Sequence, residues 1–224
     1  MAVISRMKNS KITYDLNLTN LLYKSNNEIL IKLSIKNLDW NKAEFDKFIQ
    51  TSVNRAKSGR KSIPENDLSE LMNIDWIFLN SIFISLFTNF ENHISKLANI
   101  VEDKIKSEIK INDIKGNGYI DKYRKYLYLI GKINSAKRNK TWDEIDIFKL
   151  TRNKLSHRGG YFNTNPNSKL EDQHGFQFLI DNKVLLAGSL GHIRIRETFF
   201  LEKFVKMTAK LSDQLKHEIE RIES

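Results

Sequence analysis

The sequence contains no cysteine and no long uninterrupted apolar segment. Without cysteine, its 224 residues can form neither disulfide bonds nor thiolate metal ligands. The most apolar stretch, Leu71 to Phe90, contains Asp75, Asn80 and Asn89 and is therefore not typical of a transmembrane helix. The first residues also lack the apolar core of a signal peptide. We therefore expect a cytoplasmic protein with no membrane association.

The sequence also lacks the motifs of nucleotide and metal chemistry. It has no glycine-rich phosphate loop ending in Gly-Lys-Ser/Thr and no His-Glu-x-x-His metal motif. Its five histidines are scattered along the chain, with no carboxylates at metal-ligand spacing: His93, His157, His174, His192 and His217. We therefore expect neither a metal nor a cofactor.

Negative charge is scarce relative to positive charge. The chain has 37 Lys and Arg against 27 Asp and Glu, for a net charge of +10. Within residues 101–140 the ratio is 11 to 5. Such a region attracts polyanions such as RNA, and Lys137, Arg138 and Lys140 are candidate RNA-binding residues in it. An ordinary lysine-rich, solvated surface would have the same composition.

A helix is predicted between Thr141 and Gly160. Thr141 and Glu144 form the pattern of a capping box, which places the helix start near Trp142. Gly159 and Gly160 can adopt the positive φ that ends a helix. The helix should therefore contain about sixteen residues.

The C-terminal half of this helix, LTRNKLSHRGG, carries a group of polar side chains. Arg152 falls inside the apolar stripe of the helix, where a guanidinium needs a carboxylate, a phosphate or an open cleft. The stripe comprises Trp142, Ile145, Phe148 and Leu155. Asn153 and His157 are four residues apart and therefore share a face. Arg152, Asn153 and His157 are candidate catalytic residues, and Lys154 and Arg158 are candidate RNA-binding residues.

The spacing of arginine, asparagine and histidine has little chance of being accidental. A sequence of this composition would contain the pattern roughly once in forty cases. Each residue nevertheless has a purely structural alternative: His157 as a helix cap, Asn153 as a residue of a frayed helix end, and Arg152 as the partner of a buried Glu91. We expect Glu91 to position Arg152 rather than to act as a catalyst.

The motif resembles the signature of the HEPN superfamily, in which an arginine, a polar residue and a histidine lie near the end of a bundle helix. Here these are Arg152, Asn153 and His157. Trp142 and the aromatic helix around Glu91 are similar to those of RNase-type HEPN proteins from microbial defence and toxin systems. The resemblance implies a homodimer with a composite site and metal-independent endoribonuclease activity. It also implies a toxin or anti-phage role, with a cognate antitoxin or defence-system partner.

The implied chemistry needs no metal, because RNA supplies its own nucleophile in the 2′-OH. His157 would transfer protons, Arg152 would hold two phosphate oxygens, and Asn153 would orient the imidazole or bind the phosphate. Arg152 and His157 are separated by about 7.5 Å along the helix axis and about 140° around it, so they converge poorly within one chain. A non-catalytic HEPN-like RNA-binding or scaffold protein is the alternative.

The predicted fold class is mainly α: a HEPN-like antiparallel helical bundle with one or two small β-hairpins. The bundle comprises residues 67–224, and residues 1–66 form an N-terminal extension packed on it. In the extension, alternating isoleucine and leucine residues predict a β-hairpin of Ile12–Tyr23 with Glu28–Ile35.

The other predicted elements follow from apolar spacing and turn residues. They are a helix from Asp39 to about Arg55, a polar loop Ala56–Asp67, a long helix Leu68–Ser107, a hairpin of Phe176–Ile180 with Val184–Leu186, and a closing helix Glu197–Ile222. The long helix has apolar residues at steps of four and three, as in a bundle core: Phe83, Phe87, Phe90, Ile94, Leu97 and Val101.

Overall fold

The chain is mainly helical, as the sequence predicts. The computed structural model describes residues 2–59, 65–163, 165 and 167–222. The helices are α1 (Ala2–Lys57), α2 (Glu65–Ile105), α3 (Tyr119–Leu129), α4 (Lys140–His157), α5 (Phe176–Asp181) and α6 (Phe199–Glu220). Strands β1 (Leu185–Ala187) and β2 (His192–Arg194) form an antiparallel two-stranded sheet. Within the described ranges, no helix has both the length and the hydropathy that a membrane span requires.

The N-terminal segment is one continuous helix, so the hairpin predicted over residues 12–35 was wrong. The helix predicted to start at Asp39 is part of the same α1. The sequence contains neither glycine nor proline before Gly59. Because these two residues are the strongest helix breakers, nothing in the segment interrupts a helix.

The alternation of apolar residues was misleading because α1 buries a largely polar face. Its buried positions recur in a seven-residue pattern: Leu16, Asn20, Tyr23, Asn27, Ser34 and Asn41. In contrast, Ile29, Leu33 and Ile35 are exposed. Residues three, four or seven apart return to one helix face, and here those positions carry amides and hydroxyls. The apolar pattern therefore did not mark the buried side.

The chain clusters into two compact units, each built from separate stretches of sequence. The first unit contains Met1–Glu28, Leu86–Phe148 and Lys203–Ser224, and the second contains Ile29–Ser85 and Lys149–Glu202. Both units draw on residues from either side of the boundary predicted at residue 66. In the polar loop predicted next to that boundary, residues 60–64 lie outside the described part of the chain.

In the first unit, aromatic side chains of α2, α4 and α6 form the core. Phe87 stacks on Phe204 with 5.6 Å between ring centroids. Phe90 lies 5.9 Å from Phe204 and 6.5 Å from Trp142. The predicted core seam of α2 is confirmed, since all of its members are buried: Phe83 in the second unit, and Phe87, Phe90, Ile94, Leu97 and Val101 in the first. Rings of this size contribute most of the buried apolar area in a core.

A chain of hydrogen bonds, the first two of them buried, joins α1, α2 and α6 in the first unit. The Nε2 of His93 lies 2.6 Å from the Oγ of Ser212, which in turn donates to the Oδ1 of Asn20 at 2.6 Å. Asn20 Nδ2 then donates to Asp213 Oδ1 at 3.1 Å. Because the Ser212 hydroxyl uses its proton on Asn20, it accepts from His93, whose proton is therefore on Nε2. The ring of His93 also stacks on Tyr23, 4.2 Å away.

In the second unit, α2 is bonded to the end of the sheet. Asn80 Nδ2 donates to the carbonyl of Ile193 at 3.4 Å, and its Oδ1 accepts from the N–H of Ile195 at 3.2 Å. The side-chain amide therefore pairs with this edge as a neighbouring strand would. Phe83 packs on Phe200 nearby in the same unit, with ring centroids 5.1 Å apart.

The hairpin predicted over residues 176–186 was wrong in its first strand, which is helix α5. Lys183 has a φ of 58° and ends that helix in a left-handed conformation rather than forming a hairpin turn. The actual hairpin pairs β1 with β2. Its turn is closed by the N–H of Gly191, which donates to the carbonyl of Gly188 at 3.0 Å.

Mild acid is expected to destabilise the protein through His93. Burial, and secondarily the positive charge of Lys96, lower the pKa of His93 to about 4. Between that value and the ordinary pKa of about 6.5, the unfolded chain binds a proton that the folded chain does not, so the free energy of unfolding falls as pH falls. Urea unfolding at several pH values in this window should show a contribution of up to about 1.4 kcal/mol per pH unit.

The His93→Gln variant separates this contribution from that of other titrating groups. Its free energy of unfolding should depend less on pH than that of the wild type over the same window. The matched control is His174→Gln, which changes an exposed histidine and should keep the wild-type dependence. The same pH dependence in His93→Gln and the wild type would show that this histidine is not the cause.

Candidate functional site

Asn139 caps α4, so the capping box predicted at Thr141 was wrong. The Oδ1 of Asn139 accepts from the backbone N–H of Thr141 at 3.0 Å and of Trp142 at 3.3 Å. The helix therefore starts at Lys140, slightly earlier than predicted. Its end was predicted correctly, because the two glycines that follow have φ values of 58° and 81°.

Side chains at the C-terminal end of α4 border a groove of about 400 Å³. Its lining consists of Leu150, Asn153, Lys154, His157 and Arg158. Each of these positions lies three or four residues from another in the set, so together they occupy one face of the helix. His157 is exposed as the last residue of α4, and Asn153 is half-buried one turn before it. Four of the predicted site residues thus come together in one place.

The groove is positively charged, and no acidic side chain lines it. Burial, and then the nearby charge of Arg158, lower the pKa of Lys154. Within the described ranges, neither Lys154 nor Arg158 forms an ion pair with a carboxylate. Because like charges four residues apart on a helix repel each other, a bound anion would relieve that repulsion. The groove therefore suits a phosphate group.

The arginine of the predicted motif does not line this groove. Arg152 lies half-buried on α4 in the second unit. Glu91 lies half-buried on α2 in the first unit, and its role as a positioning partner of Arg152 stays a prediction. Within one chain, the groove thus holds the motif histidine and asparagine without the motif arginine.

Of the candidate RNA-binding residues in the basic region of the first unit, Lys137 and Lys140 are exposed lysines. Arg138 between them is engaged by the protein itself. Its Nε lies 2.6 Å from Asp143 Oδ1, and its Nη1 lies 2.7 Å from Asp146 Oδ2. Exposed ion pairs of this kind are weak, but they do occupy the guanidinium. The two lysines are therefore better placed to contact RNA than Arg138.

The turn after α4 is held by His192 of β2. The Nε2 of His192 lies 3.0 Å from the carbonyl oxygen of Gly159, which can only accept, so this nitrogen carries the proton. The N–H of Gly160 donates to the carbonyl of Lys154 at 3.0 Å, and its carbonyl accepts from the N–H of Ile193 at 2.9 Å. These three bonds fix the end of the helix that carries the groove.

The segment after the turn continues this pairing. The N–H of Phe162 donates to the carbonyl of Gly191 at 3.0 Å, and that of Asn163 donates to Leu190 at 2.9 Å. His192 was not among the predicted site residues, because it lies far along the chain from the motif. Only the pairing of β2 with the turn brings it to the end of α4.

Comparisons with protein-family models, curated proteins and solved structures give no match. Among the residues that the structure describes, no group of three or more His, Asp or Glu could hold a metal ion.

Alanine at Gly160 is expected to destabilise the protein more than alanine at Gly159. Both glycines have left-handed φ values, so each substitution strains the backbone by about 1–2 kcal/mol. A Cβ at Gly160 would also lie 3.0 Å from two ring atoms of His192, whereas a Cβ at Gly159 would meet nothing closer than 3.9 Å. Urea unfolding should show an extra loss of roughly 1–3 kcal/mol for Gly160→Ala. Equal losses would mean that His192 does not restrain the turn.

Proposed function

We propose that this protein is a metal-independent endoribonuclease that acts as a homodimer. The observation that supports it best is the groove at the end of α4, where Asn153 and His157 lie beside the positive charges of Lys154 and Arg158. Cationic and amide donors suit a phosphate, and a histidine adds a group that exchanges protons near neutral pH. Cleavage of a phosphodiester uses all of these groups, whereas binding alone does not need the proton-transfer group.

The reaction follows from the chemistry of RNA. The 2′-OH attacks the adjacent phosphorus, the O2′–P bond forms, and the P–O5′ bond breaks. His157 either takes the proton from the 2′-OH, with water protonating the departing O5′, or protonates O5′, with water accepting the proton of the 2′-OH. Lys154 and Arg158 stabilise the additional negative charge on the phosphorane-like transition state. The products are a 2′,3′-cyclic phosphate and a 5′-OH, and DNA is not cleaved because it lacks the nucleophile.

The homodimer would supply the missing arginine. Since Arg152 does not line the groove of its own chain, the composite site combines Arg152 of one copy with His157 of the other. A guanidinium can hold two phosphate oxygens at once and so fix the phosphate for in-line attack. A role as a toxin or anti-phage effector, with a cognate antitoxin or defence-system partner, follows from the resemblance to HEPN proteins alone.

His157→Ala is expected to lower the cleavage rate roughly 10²–10⁴-fold, the contribution of a general acid or base. Because His157 is exposed at a helix end, the free energy of unfolding should change by less than about 1 kcal/mol. The substrate is a DNA oligonucleotide with one ribonucleotide, incubated in EDTA, with the cyclic phosphate detected by mass spectrometry. The control His174→Ala should cleave at the wild-type rate. A folded His157→Ala protein with wild-type activity would favour the non-catalytic RNA-binding or scaffold alternative.

Mixing two inactive variants tests the composite site. Arg152→Ala and His157→Ala proteins should each be inactive alone. Mixed dimers contain one site in which the intact arginine and the intact histidine come from different chains. Random exchange of subunits should therefore restore about a quarter of the wild-type rate. If the mixture stays inactive although mass spectrometry shows mixed dimers, the arginine and the histidine act within one chain.

A further inference from the structure

Three aromatic side chains of the second unit contact one another in series. The ring of His192 lies 5.2 Å from that of Tyr161 and 5.1 Å from that of Trp76, which it meets edge-on. The backbones of Tyr161 and His192 are also joined by an antiparallel bridge. Tyr161 is nevertheless 47% exposed. Its ring is therefore held by a neighbour and still open to solvent.

Tyr161 is close to the groove through the turn after α4. The N–H of Tyr161 donates to the carbonyl of Arg158 at 3.1 Å, which closes a four-residue turn. In such a turn the Cα atoms of the first and last residues lie within about 7 Å. Arg158 lines the groove. The backbone that carries the open ring is therefore within about 7 Å of the backbone of a groove residue, on the same unit.

A further cation belongs to the aromatic cluster. The guanidinium carbon of Arg194 lies 5.2 Å from the ring centroid of Trp76. Within the ranges that the structure describes, Arg194 forms no ion pair with a carboxylate. Aromatic rings combined with arginine and lysine that form no ion pair with a carboxylate are typical of surfaces that bind single-stranded nucleic acid.

We propose that Tyr161 is a stacking platform for a base of single-stranded RNA whose adjacent phosphate occupies the groove. The proposal rests on the endoribonuclease function proposed above and adds a base-binding position to that site. Every base has a π face, so stacking of this kind accepts any sequence. The bases of a duplex are already stacked and paired, so the platform favours single-stranded loops and ends.

Two oligonucleotides separate base stacking from phosphate binding. One is a short 2′-O-methyl RNA, which cannot be cleaved because its 2′ oxygen carries no proton. The other has the same number of phosphates but abasic sugars. Their dissociation constants are measured by fluorescence anisotropy for the wild type, for Tyr161→Ala and Tyr161→Phe, and for a groove variant with Lys154→Gln and Arg158→Gln. The matched control is Tyr14→Ala, which removes a tyrosine that is 64% exposed in the first unit and lies outside the basic region.

We expect Tyr161→Ala to weaken binding of the base-bearing oligonucleotide roughly 5- to 150-fold, the range of base–aromatic stacking, and to leave the abasic one unchanged. Tyr161→Phe and Tyr14→Ala should bind both probes as the wild type does. The groove variant should bind both probes more weakly than the wild type does.

Three results would overturn the proposal, and they point to different causes. If Tyr161→Ala binds both probes like the wild type while the groove variant binds both more weakly, Tyr161 is not a stacking platform and the proposed function stands. If Tyr161→Ala weakens both probes equally, the tyrosine acts on the structure of the groove and not by stacking. If the groove variant binds both probes as the wild type does, or the wild type binds neither, the groove is not a phosphate site and the proposed function fails with the platform.

Discussion

The hydrogen bond between His192 and the carbonyl of Gly159 determines how the chain leaves α4. A helix ends with carbonyl groups that have no partner within the helix, and their surroundings decide where the last turn lies. Here the last turn carries His157. A Cβ at Gly160 would lie only 3.0 Å from two atoms of the same imidazole. A small sheet that takes no part in the proposed chemistry therefore positions the residue that does.

The geometry of the candidate site was predictable where it depends on local helix periodicity. Asn153 and His157 lie on one face because they are four residues apart on a helix, and the same rule separates Arg152 from them. The glycines after the helix were recognised from their chemistry. His192 was not recognisable, because its place next to Gly159 results from long-range strand pairing. No helical or strand periodicity connects it with the motif.

The fold was predictable where burial follows apolar periodicity. The seam of α2 obeys that rule, and every predicted member is buried. In α1 the rule fails, because Asn20, Asn27 and Ser34 are buried while neighbouring isoleucines and leucines are exposed. Absence of glycine and proline before Gly59 was the better signal there. The turn at Lys183 was missed because a lysine seldom adopts a left-handed conformation.

The polar repeat in α1 is compatible with more than one alignment of this helix with its neighbours, and Tyr23 distinguishes between them. An asparagine or a serine recurs every seven residues, so a helix displaced by one repeat would still offer a polar group to Asn89, which now donates to Asn27 at 2.8 Å. The same displacement would put Leu16 in the place of Tyr23. Leucine cannot reproduce the hydrogen bond of 2.6 Å from the Tyr23 hydroxyl to Thr208. Tyr23 therefore distinguishes the observed alignment from one displaced by a single repeat.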